Sequence, residues 1–324
     1  MRPLPVALVL LAATAAFAED LSKPETGTIK FTADDKANGV PERFRLADHS
    51  FDYTLTLKHD LKNAGVEVYT LTFPSPVTSK HEENNTVPCE FYVPKGAKKR
   101  PAVVVLDILD GAMVVSRAQA LWLAQHDIPA LVVQMAYYGP RRPKGSKERL
   151  LSTDVEKSVA NITQTVLDCR RAVAWLETRP EVDPAKLGLL GTSLGSFVGG
   201  VTAAVEPKVK RVALLLGGGG LVDAFQQHPQ AGPGLAMLAL VGITPNKLKK
   251  LIDPIDPLTY ADKLKEKKLL LIGASRDDVV PPVAMKTLWE ATGKPSVLWV
   301  DATHVGAALY LLPMMREVVK TLGE

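Results

Sequence analysis

Six short, strongly apolar runs constrain this chain more than any other feature: PAVVVLDIL (101–109), PALVVQMAY (129–137), LGLLG (187–191), VKRVALLL (209–216), KKLLLIG (267–273) and SVLWV (296–300). A strand apolar on both sides must be covered on both faces, the situation of a central strand in a parallel sheet. Helical patterns fill the gaps. SRAQALWLAQHDI reads as one helix. Val159, Ile162, Val166, Ala172 and Leu176 recur at helical spacing in another, capped by Ser152 or Thr153 and stopped at Arg179-Pro180. SFVGGVTAAV reads as a third. Upstream, VEVYTLTF and VPCEFYVP alternate as half-buried strands and suggest an antiparallel pair. The expected fold is α/β: a doubly wound, mostly parallel sheet with helices on both faces, antiparallel first strands and a helical lid insertion.

The rest of the chain divides around that core. Residues 1–18, MRPLPVALVLLAATAAFA, have an early arginine, an apolar run and an Ala16-Phe17-Ala18 ending, the layout of a secretory signal peptide cleaved near Ala18. The apolar run is shorter than the roughly 20 residues a membrane span takes. Residues 19–64 read as an N-terminal extension, with 19–60 polar, irregular and wrapped on the surface. Residues 65–324 form the main domain. Within it, 217–262 are too long for a plain connection and contain GPGLAMLALVGI, so they read as a lid or substrate wall over the carboxyl edge of the sheet. The chain is exported on this reading, periplasmic or secreted, with no membrane span in its mature form.

Composition excludes several function classes. Over 324 residues the net charge is only +4, with basic residues in short scattered runs, so no nucleic-acid footprint is expected. The two cysteines, Cys89 in a strand and Cys169 in a helix, read as separate buried thiols. No H-E-x-x-H occurs, and no metal or organic cofactor is implied. The run Gly217 to Gly220 lacks the lysine and hydroxyl residue of a phosphate-binding loop.

What remains is Gly191-Thr192-Ser193-Leu194-Gly195, set between a buried strand and a helix. A serine on a sharp strand-to-helix turn needs small neighbours, and the turn lifts its hydroxyl clear of the sheet. The Leu194 amide then lies at the helix start, where backbone donors are unpaired, and is the expected first oxyanion donor. A serine hydroxyl needs a base. Only His228 and His304 follow Ser193; His304, in a loop after the last buried strand, is the candidate. The orienting carboxylate is Asp277 or Asp278, leaving the strand KKLLLIG.

At these residues the sequence resembles the α/β-hydrolase superfamily, and within it the dienelactone-hydrolase-like and acetyl-xylan-esterase-like branch of serine esterases. The most specific stretch is TRPEVDPAKLGLLGTSLGS (178–196). The family's D-x-x-V-P motif corresponds to Asp277-Asp278-Val279-Val280-Pro281 and favours Asp277; its His-x-Gly matches His304 and Gly306, and Ile255-Asp256-Pro257-Leu258-Thr259-Tyr260-Ala261 looks like the segment before its acid strand. The resemblance implies an ester hydrolase working through an acyl-enzyme. A peptidase, thioesterase, lactonase or catalytically silent binder is the alternative. One departure stands out. Where many members carry His-Gly after the third strand, this chain has Asp107-Ile108-Leu109-Asp110-Gly111, so the second oxyanion amide falls to Ile108 or Leu109 and both aspartates must be turned away or paired. Tyr137, Tyr138 and Arg141, with Arg142, follow the fourth strand and are candidates for recognising the substrate, a small-molecule ester and in one case an acylated carbohydrate.

Overall fold

The computed structural model describes residues 23–32, 35–96, 98–109, 111–226 and 243–324. Ten strands form one sheet: β1 (Glu25–Phe31), β2 (His49–Leu61), β3 (Val66–Pro74), β4 (Thr86–Pro94), β5 (Arg100–Leu106), β6 (Ala130–Val133), β7 (Val182–Thr192), β8 (Val209–Leu215), β9 (Lys268–Ala274) and β10 (Ser296–Val300), in the order β1-β2-β3-β4-β6-β5-β7-β8-β9-β10. β1 to β4 pair antiparallel, and β4 joins β6 antiparallel. From β6 to β10 every pairing is parallel. The expected fold is the one found.

The apolar runs are explained by what covers them. Along β5, Val104 and Leu106 enter one core while Val103 and Val105 enter another. β9 divides the same way, Leu269 and Leu271 against Leu270 and Ile272. Helices α2 (Val155–Glu177) and α3 (Leu194–Val205) cover the first face. Helix α1 (Val114–Gln125) and the terminal helix α8 (Leu311–Gly323) cover the second. β5 and β9 therefore alternate between two dry layers, which is why no polar residue interrupts their buried stretches 102–106 and 269–274. The cap of α2 is Asp154, whose carboxylate accepts from the Lys157 amide, rather than Ser152 or Thr153. Cys89 and Cys169 are free and buried, as expected.

The reading of 19–60 as an irregular wrapping does not hold. Residues 25–61 supply β1 and β2, hydrogen-bonded to each other and to β3. The signal was present: Phe51, Tyr53, Leu55 and Leu57 alternate with polar residues, and Phe51 and Leu55 are the buried ones. It is weak because these strands are covered on one face only, so half their residues are polar. Arg170 of α2 ties down the turn between β1 and β2. Its guanidinium donates to both Asp35 carboxylate oxygens (2.8 and 2.6 Å), to Glu206 (2.9 Å) and to the Phe44 carbonyl.

Between β8 and β9 the described residues are largely helical: α4 (Leu221–Gln226), α5 (Pro245–Ile252), two 3-10 turns and α6 (Ala261–Lys265). Most of the apolar stretch 232–243, together with His228 and the leader 1–18, lies outside the described residues. Asp256 fastens the insertion by accepting from the amides of Gly220 (2.9 Å), Leu221 (2.7 Å) and Leu258 (2.9 Å). Helix α7 (Pro282–Ala291) follows β9. Among the described residues, no helix is long and apolar enough to cross a membrane.

Two stability predictions follow from the buried ion pairs. Arg170→Ala strands Asp35 and Glu206 without their cation and should cost about 3–5 kcal/mol in chemical denaturation; a loss below about 1 kcal/mol would contradict the anchoring role. Glu90 of β4 is bound by Lys58 (2.7 Å) and by Arg117 of α1 (2.9 and 2.8 Å). Burial alone would raise its pKa, but the two cations hold it down at about 2 against an ordinary 4.5. That contribution is present above the ordinary value and lost as pH falls through the native one. The stability gap between wild type and Glu90→Gln should therefore close between about pH 4.5 and pH 2; a gap constant across that window would count against it.

Candidate active site

Ser193 stands between the end of β7 and the start of α3 with φ 54° and ψ −116°. Such backbone costs a side-chain-bearing residue about 1–3 kcal/mol and persists only where its surroundings fix it. Here they do. The Ser193 amide donates to the Leu215 carbonyl of β8 at 2.8 Å. A Cβ on Gly191 would collide with the Gly195 carbonyl, and one on Gly195 with the carbonyls of Leu106 and Asp107 at the end of β5. The two glycines let α3 begin in contact with both neighbouring backbones. Thr192 is held by Gln119 of α1 (2.9 Å), a support the sequence did not announce.

Because β7, β9 and β10 run parallel, their carboxyl ends share one edge, and three distant residues meet there. His304 Nε2 is 2.9 Å from Ser193 Oγ, and His304 Nδ1 is 2.8 Å from Asp277 Oδ2. The second Asp277 oxygen accepts from the amides of Val279 (2.9 Å) and Val280 (2.7 Å), which fixes the carboxylate. Asp278 instead accepts from the backbone amide of His304 at 3.1 Å. Asp277 orients the ring and Asp278 the loop. With the carboxylate ionised, Nδ1–H donates to Asp277 and the Nε2 lone pair faces the serine hydroxyl. The Asp277 side chain is 3% exposed and that of His304 13%, so the ion-dipole contacts act largely out of water.

Leu194 is the first residue of α3, where the backbone amide has no intrahelical acceptor. Ile108 and Leu109 lie in the loop leaving β5, against which Gly195 packs. Asp107 is paired: its carboxylate accepts from the amides of Met113 (2.6 Å) and Ser116 (3.2 Å) at the start of α1. Asp110 lies outside the described residues.

The candidates after β6 divide. Tyr138 is buried with its ring against Gly111 of the β5 loop. Tyr137 is buried at φ 58°, its amide donating to Asn84 Oδ1 at 3.0 Å. Arg141 is a correction. It has no exposure and donates to Asp168 (2.8 Å) and to the carbonyls of Gln134 (3.0 Å) and Asn84 (2.8 Å). It cannot touch a ligand; it braces the loop that carries the two tyrosines. Burial raises the Asp168 pKa against the pull of Arg141. Ser75 (2.6 Å to Asp168) and Gln164 complete this internal cluster. Sequence reasoning missed it because its members come from separate stretches of the chain, only Gln164 and Asp168 sharing an element. Among the described residues, no group of three His, Cys, Asp or Glu side chains is placed to hold a metal ion.

Known proteins share this architecture. An acetyl xylan esterase from Paenibacillus sp. R4 superposes with a TM-score of 0.64 at 18% identity, covering 83% of this chain and 89% of its own. Acetyl Xylan Esterase 1 from Thermoanaerobacterium sp. JW/SL YS485 gives 0.58 at 18% identity, covering 82% and 87%. At such identities the likeness is one of fold. An uncharacterized protein of Mycobacterium tuberculosis is 27% identical over 173 residues, 52% of this chain but only 40% of that protein's length. Residues 41–217, from before β2 to just past β8 and including Ser193, match the family described as Alpha/beta hydrolase domain containing 18. The chain belongs to that family, and with it to the α/β hydrolases.

Proposed function

We propose that this protein is an exported serine hydrolase that cleaves carboxylic esters through an acyl-enzyme. The observation that carries the proposal is the continuous hydrogen-bond chain from Ser193 through His304 to Asp277. As Ser193 Oγ attacks the ester carbonyl, its proton passes to His304 Nε2, and Asp277 stabilises the imidazolium. The Leu194 amide and an amide of Ile108 or Leu109 hold the tetrahedral oxyanion, an interaction worth about 3–4 kcal/mol per donor in comparable sites. The imidazolium returns its proton to the departing alcohol as the C–O bond breaks, leaving Ser193 acylated. Water, deprotonated by His304, attacks the acyl carbonyl; the acid leaves and the Ser193 hydroxyl is restored. Each cycle consumes one ester and one water and yields one acid and one alcohol.

The site's surroundings favour a substrate with apolar groups. Every large apolar side chain strongly exposed among the described residues sits past the carboxyl end of a parallel strand. Leu109 and Val114 follow β5, Leu151 follows β6, Phe225 follows β8, Val279 and Val283 follow β9, and Val305, Leu309 and Leu312 follow β10. Exposed apolar residues are ordinary when scattered and informative when gathered. The helical insertion after β8 contributes to this rim as a substrate wall. Acetyl xylan esterases share the fold, so an acetylated carbohydrate is one natural ester that this reading admits.

Purified protein treated with a fluorophosphonate probe should be labelled at Ser193 and should hydrolyse p-nitrophenyl acetate. Ser193→Ala should abolish both, and Asp277→Asn should lower turnover by roughly a thousandfold or more while leaving the fold intact. Folded wild-type protein that neither labels nor turns over the ester would replace this reading with that of a silent binding protein.

A further inference from the structure

Past the carboxyl ends of β5 and β6 lies a cavity of about 280 Å³ that the reaction does not account for. It is lined by Leu109, Tyr138, Gly139, Arg142, Arg149 and Leu151. Its walls are the loop leaving β5 and the loop leaving β6, at the edge where Ser193 stands. In the sheet order β6 and β5 precede β7, so the strands that carry these loops lie one to two strand spacings, roughly 5–10 Å, from the serine's strand. That is the length of a small acyl or alcohol group.

The chemistry of the cavity is uneven. Leu109 and Leu151, 54% and 39% exposed, line it together with Tyr138, so part of the lining is apolar. Two guanidinium groups complete the lining. Arg142 donates only to the Ser146 carbonyl at 3.3 Å, and Arg149 to the carbonyls of Ser146 (3.4 Å) and Glu148 (2.9 Å). Neither meets a carboxylate among the described residues. Among the described acids of the same chain segment, Glu148 is engaged with Lys157 at 3.5 Å and Asp154 caps α2. Arg141, Arg170 and Arg179, by contrast, each hold an acidic partner. A guanidinium presents a planar fork of donors that matches an oxyanion in two parallel hydrogen bonds. Two such forks over an apolar wall, with most donors uncommitted, make a seat for a carboxylate or phosphate carried on an apolar body.

We infer that Arg142 and Arg149 form a subsite for an anionic substituent at the non-reacting end of the ester, so that the substrate class is an amphiphilic anionic ester. The inference takes its place along the substrate from the esterase reading, but the binding it claims does not depend on turnover. Two matched pairs of esters test it. One pair is 4-acetoxycinnamate and its methyl ester, with the charge on the alcohol side. The other is mono-4-nitrophenyl adipate and 4-nitrophenyl hexanoate, with the charge on the acyl side. The anionic member of at least one pair should be preferred by about tenfold or more in kcat/KM, the effect of one good charge-assisted contact. Arg142→Gln with Arg149→Gln should bring that ratio close to one. Arg316→Gln, which removes an exposed charge from α8, should leave the ratio as it is.

In the inactive Ser193→Ala background, calorimetry with 4-acetoxycinnamate should show binding that the double arginine variant weakens about tenfold or more. Binding there without hydrolysis by wild type would overturn the esterase reading and support the subsite. Hydrolysis with no preference for either anion, or a preference that survives the double variant, or one equally lost in Arg316→Gln, would overturn the subsite and leave the esterase reading standing.

Discussion

One close backbone approach governs the rest. Helix α3 begins against the last carbonyls of β5, with Gly195 where no Cβ fits, and Ser193 is forced to positive φ as the price of that contact. The contact exists because β5, β7 and β8 are parallel neighbours and because two dry cores hold the sheet from both sides. The strained serine is thus a consequence of packing: the sheet supplies the energy that keeps the hydroxyl lifted toward solvent. A larger residue at 191 or 195 would relieve the strain by pushing α3 away, and the geometry to His304 would go with it.

Parallel strands do a second thing. They deliver Asp277 and His304, 84 and 111 residues after the serine by chain number, to the edge where it stands. Each then has a fixed partner beyond its functional one. Asp277 is pinned by the amides of Val279 and Val280, and His304 by Asp278 through its backbone. The adjacent aspartates that looked interchangeable have different tasks because consecutive side chains leave a loop in different directions. The β6 loop is held from within in the same way: Arg141 and Asn84 brace it so that Tyr137, Tyr138 and Arg142 can stand at the edge.

The sequence made the central strands legible because their burial on two faces removes polar residues, a pattern few other structures produce. It made Ser193, Asp277 and His304 legible because each ends or follows such a strand. It hid β1 and β2, where coverage on one face leaves half the positions polar, and the alternation of Phe51, Tyr53, Leu55 and Leu57 was the faint trace. It also misled at Arg141. A basic residue after a strand near the site looks the same in sequence whether it faces substrate or faces Asp168, and only the converging Asn84, Ser75 and Gln164 distinguish the two. Long-range polar clusters leave no periodic mark.

The central claim is that a serine held by backbone contacts becomes reactive because an oriented imidazole reaches it. Rapid quenching of p-nitrophenyl acetate turnover, followed by peptide mass spectrometry, tests this most directly. The account predicts an acetyl group on the peptide containing Ser193, at the oxygen beside His304. Turnover with the acetyl group found on another residue, or with no covalent adduct at any quench time even when deacylation is slowed, would contradict it.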